Sequence, residues 1–144
     1  PSSDWSVIVF SHPSPYTQEI VGTDNTPPFN ADIIMEILEA FKAKTSYNKI
    51  ITNQGSYNVS ISVDYTGKGG DVIAFICGHH HEDYIGKWND NIPVVVVLND
   101  SKVTSSKTYG TTTEHVIDVF TVDKISRNVY ITRIGVGSDR SFMY

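Results

Sequence analysis

The stretch Asp71-Val-Ile-Ala-Phe-Ile-Cys-Gly-His-His-His81 joins a run of six apolar residues to a glycine and three histidines. An apolar run without polar alternation predicts a β-strand over Val72–Cys77 that is buried on both faces, as in a parallel sheet. Ligands of open α/β sheets bind beyond the carboxyl ends of the strands. The histidine triplet therefore stands where such a sheet places its binding site.

Two further apolar runs repeat this pattern. Val7–Phe10 predicts a second strand buried on both faces, and His12 follows it closely. Val94–Leu98 predicts a third buried strand, which ends at Asn99-Asp100. If the first two strands run parallel, their carboxyl ends share one edge of the sheet, and His12 meets the histidine triplet there.

The segments between these runs predict one helix, one loop and one further strand. Pro13–Phe29 contains four prolines and predicts a long irregular loop. Apolar residues recur at helical spacing after Asn30, a candidate N-cap, and predict a helix over Ala31–Lys44. Val59–Val63 alternates apolar and polar residues, which is typical of a strand with one solvated face. Two turn-like segments flank this strand, Asn53–Tyr57 and Thr66–Gly70.

The C-terminal third predicts a loop followed by a hairpin. Ser101–Thr113 is rich in Ser, Thr and Lys, which favours an exposed loop. His115–Val122 and Val129–Ile134 both alternate and predict an antiparallel hairpin joined through Asp123–Asn128. The glycines after this hairpin predict a turn near the C-terminus.

These elements together predict a mixed α and β fold in a single domain spanning residues 1–144, with about five to six strands and one main helix. A sheet buried on both faces needs cover on both faces, and one helix supplies only part of it. The shortage has two explanations. Either part of the structure is missing, or the sheet packs on another sheet.

Composition excludes several functional classes. The chain has 144 residues, of which 40% are hydrophobic, and its 11 Lys and Arg against 16 Asp and Glu give a net charge of -5. We therefore expect no basic surface for nucleic acid. The longest apolar runs are far short of the roughly 20 residues that span a bilayer, so we expect a soluble chain without membrane contact, and no signal peptide is visible. Cys77 is the only cysteine, which excludes an internal disulfide.

The histidines are the strongest candidates for chemistry, because neutral imidazole is a common ligand of divalent metals. Alternation along a strand would turn His79 and His81 to one side and His80 to the other. His12, His79 and His81 are the predicted metal ligands, with His80 and Asp83 as neighbours at the rim. Glu82 and Asp83 are candidate carboxylates that would orient the imidazoles. An ordinary polar surface turn is the alternative for the triplet. For His115, a place on an exposed strand is the favoured interpretation.

The same residues resemble a known family. Residues 71–81 and the upstream stretch Trp5-Ser-Val-Ile-Val-Phe-Ser-His12 look like the last two metal motifs of calcineurin-like metallophosphoesterases, a lone His after an apolar strand and then Gly-His-x-His. The tail Asn128-Val-Tyr-Ile-Thr-Arg-Ile-Gly-Val-Gly-Ser-Asp-Arg-Ser-Phe142 is similar to the ending of members carried by bacteria and their phages.

The resemblance implies a two-sheet sandwich whose site holds two divalent ions (Mn, Fe or Zn) and hydrolyses a phosphomonoester or phosphodiester substrate. By the same resemblance, His12 and His79 are ligands of one ion and His81 is a ligand of the other. The family's earlier motifs, Asp-x-His, Gly-Asp-x-x-Asp and Gly-Asn-His-Asp or Glu, do not occur among the 11 residues before His12. We therefore expect the C-terminal half of a larger enzyme, with a partial metal site, no assignable catalytic residue and no activity on its own.

Two alternatives remain open at this point. The chain is a non-catalytic phage or cell-surface module with this fold and one structural metal, or it is a plain metal-binding domain that uses the three histidines and one water. If half of the fold is missing, the apolar surface meant for it favours self-association.

Overall fold

The computed structural model describes residues 5–15, 30–54, 57–98 and 107–144. Most of the predicted loop over residues 13–29, the centre of the predicted turn over 53–57 and the first part of the predicted loop over 101–113 lie outside the described residues, as does the predicted strand end at Asn99-Asp100. The elements are, in chain order, β1 (Ser6–Ser11), α1 (Ala31–Ala43), β2 (Ser46–Gln54), β3 (Tyr57–Asp64), β4 (Asp71–Cys77), β5 (Tyr84–Trp88), β6 (Ile92–Val96), β7 (Val116–Asp123), β8 (Asn128–Gly135) and β9 (Arg140–Met143).

The fold is mixed α and β, as predicted, with one helix and nine strands in three sheets among the described residues. The expectation of about five to six strands was too low. Polar β2, short β5 and short β9 carry weak alternation in the sequence, so they escaped prediction.

The central sheet has the strand order β1-β4-β6-β5. Strands β1, β4 and β6 run parallel, and β5 joins β6 in antiparallel orientation. The register pairs Ser11 with Cys77, so that β1 and β4 end side by side. The sequence predicted that His12 meets the histidine triplet if these two strands run parallel, and they do.

Each face of the central sheet has its own cover. On one face, Met35, Leu38 and Phe41 of α1 pack against side chains of β4 and β6. On the other face, Val129, Ile131 and Phe142 pack from the outer sheet, β7-β8-β9. The second explanation for the missing helical cover, a sheet packed on another sheet, is therefore confirmed.

Strand β4 is buried along its apolar length, as predicted, but β1 is not. Phe10 is 73% exposed, and the other residues of β1 are only half-buried. The prediction for β1 was wrong because β1 is an edge strand of the central sheet. It has a neighbouring strand, β4, on one side only.

The predicted helix and hairpin are confirmed to within a residue or two. Helix α1 ends at Ala43, and Lys44 forms its C-cap in the left-handed region. Asn30 occupies the N-cap position, but its φ is 63° and its side chain makes no capping hydrogen bond. Strands β7 and β8 pair in antiparallel orientation up to Asp123 and Asn128. Among the described residues, no helix has the length and apolar character to cross a membrane.

Candidate functional site

Two histidines meet at the carboxyl ends of β1 and β4. The backbone N–H of Gly78 donates to the carbonyl of His12 at 3.1 Å, which fixes the two strand ends together. Beyond this bond, His12 Nε2 lies 3.1 Å from His79 Nδ1, and the two rings stand edge to face with centroids 5.1 Å apart. We call His12 and His79 the histidine pair. The structure thus confirms that residues 67 positions apart converge at the predicted edge.

The histidine triplet is a tight turn and not the end of a strand. His79 and His81 adopt φ values of 72° and 57°, in the left-handed region that favours glycine. The N–H of His80 donates to the carbonyl of Gly78 at 2.9 Å and closes the turn. Strand alternation therefore does not apply to the triplet. Non-glycine residues in this region are strained by about 1 kcal/mol or more, and such strain clusters at functional sites.

His80 is partly buried and packs against His79. Its ring packs edge to face on His79 with centroids 5.7 Å apart, and its Nδ1 is buried without a hydrogen-bond partner in the described part of the chain. Burial lowers the pKa of His80, and the neighbouring His79 lowers it further. Its surroundings therefore favour the neutral form of His80.

The geometry of the histidine pair fits two ligands of one metal ion. Two nitrogens that each lie about 2.1 Å from one ion are about 3.0 to 3.4 Å apart, which includes the 3.1 Å seen here. In the direct contact one of these nitrogens accepts and the other donates, so the donor must give up its proton or its ring change tautomer before both nitrogens bind one ion. His81 does not complete a larger set: residues 5–15, 30–54, 57–98 and 107–144 contain no group of three or more His, Cys, Asp or Glu side chains arranged to hold an ion.

A second polar cluster, which sequence reasoning missed, lies beside the same strand ends. We call it the arginine cluster, and it consists of Arg133, Arg140, Asp83 and Asp118. The Arg133 side chain is 1% exposed and donates to Asp118 and Asp83 at 2.7 Å each. Arg140 donates to the same two carboxylates, at 2.6 Å to Asp118 and 2.9 Å to Asp83.

The arginine cluster ties the outer sheet to the central sheet. Asp83 also accepts a bond from the N–H of Leu98 at 3.1 Å, and Arg140 reaches the carbonyl of Val96 at 3.4 Å. Burial acts to lower the pKa of Arg133, but hydrogen bonds to Asp118 and Asp83 outweigh it and raise that pKa above its ordinary value. Asp83, predicted as a rim residue of the metal site, is thus engaged by two arginines.

One sequence signal could have revealed this cluster. Val129, Ile131 and Arg133 follow one another at the period of two that marks the inward face of β8. An arginine on the apolar face of a strand needs carboxylate partners, because an unpaired buried charge is very unfavourable.

The remaining residues that the sequence singled out are not part of the histidine pair. Cys77 is buried, and burial raises the pKa of its thiol to about 11, so the thiol stays protonated. His115 is exposed, as expected, but it directly precedes β7 and is not part of the strand in which the sequence placed it. Its carbonyl accepts the N–H of Val136 at 3.0 Å, and the turn that follows β8 uses Gly135 and Gly137 at positive φ, as predicted for the C-terminal glycines.

Comparison of the chain with protein-family models, curated proteins and solved structures gives no significant match.

Proposed function

We propose that the histidine pair binds one divalent metal ion and forms part of the metal site of a phosphoesterase. The observation that carries this proposal is the 3.1 Å approach of His12 Nε2 and His79 Nδ1 beyond two neighbouring parallel strands. Three features support it: the position at strand ends, the ligand-like distance, and the left-handed backbone that His79 adopts to reach His12.

A bound divalent ion in such a site polarises a phosphoryl oxygen and lowers the pKa of a coordinated water. The residues of this chain would contribute His12 and His79 as ligands, with His80 packed behind them to hold the ring of His79. His81, two residues further along the turn, would be a ligand of a second ion only when the acidic ligands are supplied, so the chain alone would bind one ion. The resemblance assigns acidic ligands to this site, and they would come from residues that the present sequence does not contain. We therefore propose that the chain binds metal but does not hydrolyse phosphoesters by itself.

Titration calorimetry with Zn²⁺ on metal-stripped protein tests the binding step. We expect one ion per chain, and we expect His12→Gln or His79→Gln to weaken binding by at least about tenfold, because each removes a direct ligand. His115→Gln is the matched control, since it removes an exposed imidazole away from the pair. Equal affinity in all three variants would contradict the site.

The phosphoesterase assignment needs a separate readout. Orthophosphate should bind the Zn²⁺-loaded protein and lose that metal-dependent binding in His12→Gln. Turnover of p-nitrophenyl phosphate by the unaided chain would contradict the proposal that further ligands are required. Zn²⁺ binding without any metal-dependent phosphate binding would instead favour the non-catalytic module with a structural metal.

A further inference from the structure

A cleft of about 370 Å³ lies at the opposite end of the central sheet from the histidine pair. It is bordered by the C-terminal end of α1, the starts of β1 and β4, and the turn between β7 and β8. The residues that line it include Trp5, Lys42, Lys44, Asp71 and Lys124. We call this site the lysine cleft.

The lysine cleft concentrates positive charge in an acidic chain. The whole chain carries a net charge of -5, yet three lysines and only one carboxylate line this space. That carboxylate, Asp71, accepts two bonds from Arg127 at 2.9 and 3.0 Å, so its charge is already matched. Within the described part of the chain, the ammonium groups of Lys44 and Lys124 have neither an ion pair nor a hydrogen bond. The cleft therefore has more cations than carboxylates.

The ammonium group of Lys42 also has donors available for a ligand. Its Nζ donates to the carbonyl of Asn91 at 2.9 Å, which leaves two donors of the ammonium group for another partner. Burial lowers the pKa of Lys42, and the positive charges of Arg127 and Lys87 lower it further. An anion in the cleft would relieve this repulsion.

Helix capping explains only part of the arrangement. Lys42 and Lys44 stand at the C-terminal end of α1, where cations interact favourably with the helix dipole. Lys124 comes from the turn after β7 and has no such role. Its charge acts on Asp71, as that of Lys42 does, so several cations share one carboxylate, and an anionic ligand would offset the excess.

We propose that the lysine cleft binds a small phosphorylated molecule that carries at least two negative charges. Lysine ammonium groups bind phosphate as point charges, and the cleft has the size of ordinary small-molecule sites. Trp5, which is 56% exposed, offers an aromatic face at the edge of the cleft. This site is separate from the histidine pair and needs no metal.

Inorganic pyrophosphate is the probe, titrated into metal-stripped protein at constant ionic strength and followed by calorimetry and tryptophan fluorescence. We expect saturable binding that Lys124→Glu weakens by at least about tenfold, because it reverses one of the charges in the cleft. Lys107→Glu is the matched control. It makes the same change of net charge at a residue that precedes β7 and does not line the cleft, and it should keep the wild-type affinity.

Three outcomes would overturn the proposal. The first is an equal loss of affinity in Lys124→Glu and Lys107→Glu, and the second is sulfate binding as tightly as pyrophosphate. The first would show attraction to overall charge only, and the second would show a site for any oxyanion and not for a phosphorylated molecule. The third is a loss of pyrophosphate binding in His12→Gln but not in Lys124→Glu, which would move the anion to the histidine pair and leave the metal proposal standing. Lys44→Gln provides a second variant with a smaller change, and we expect it to weaken binding in the same direction.

Discussion

The arginine cluster and the histidine pair lie beside the same strand ends, but their polar groups differ in burial and in pairing. In the arginine cluster, two cations meet two carboxylates, and the most buried of them, Arg133, donates to both carboxylates. In the histidine pair, the exposed imidazoles of His12 and His79 hydrogen-bond to each other, and the backbone of His79 is strained.

This contrast separates what holds the fold from what is available to a ligand. Buried charges persist in proteins when each has a partner of opposite charge, so the pairing of both arginines with carboxylates indicates a structural role. Polar groups that are exposed, converging and strained are the ones that a ligand can still engage.

Asp118→Ala should give the largest loss of stability. Its side chain is only 7% exposed and accepts from both arginines, so its removal leaves Arg133 and Arg140 with Asp83 as their remaining carboxylate. Breaking a buried ion pair by removing one partner costs about 3 to 5 kcal/mol. We expect a loss of this size in the free energy of unfolding, which urea denaturation would measure.

Asp32→Ala is the matched control for that measurement. Asp32 lies 3.6 Å from Lys49 and is 56% exposed. An exposed pair of this kind contributes about 0 to 1 kcal/mol. Similar losses in the two variants would mean that the arginine cluster is not the structural tie between the sheets.

Arg127→Ala should have an intermediate effect that depends on pH. Arg127 pairs with Asp71 through two bonds and packs over the Tyr144 ring at 4.7 Å, so we expect a loss of about 1 kcal/mol at neutral pH. Hydrogen bonding from Arg127 lowers the pKa of Asp71. The stability from this pair is therefore fully present above the ordinary carboxyl pKa, about 4, and is lost as the pH falls through the lowered value.

Denaturation of wild type and Arg127→Ala at a series of pH values checks this. The difference in unfolding free energy should shrink below about pH 4. A difference that stays constant down to pH 2 would show that packing over Tyr144, and not the ion pair, carries the effect.

His79→Gly should have the smallest effect on stability, within about 0.5 kcal/mol of wild type, while it removes Zn²⁺ binding. Glycine relieves the left-handed strain at φ 72°, and this gain offsets the greater backbone freedom of the unfolded chain. His115→Gly, at a residue without positive φ, should destabilise the protein more and leave Zn²⁺ binding intact. A large loss of stability in His79→Gly would mean that the pair is structural.

The sequence was sufficient where a feature depends on local pattern. The apolar run of β4, the helical spacing of α1 and the alternation of β7 and β8 all gave their elements. The convergence of His12 with the triplet also followed, because it needed only two strands that end in histidine and run parallel.

The parts that escaped depend on tertiary contacts. Strand β2 is polar, and it is held by pairing with β3 and by bonds from Tyr47 and Lys49 to Glu36 on α1. The exposure of β1 reflects its place at an edge, which no local pattern reports. The arginine cluster joins residues from four separate parts of the chain, and its only local sign was Arg133 on an apolar strand face.

The most direct test of the central claim is a Zn²⁺ titration followed by ¹⁵N NMR of the five imidazole rings. We predict that the resonances of His12 Nε2 and His79 Nδ1 shift together and saturate at one equivalent of Zn²⁺, while those of His115 do not move. Shifts confined to other histidines, or equal shifts in all of them, would contradict the assignment of the histidine pair as a metal site.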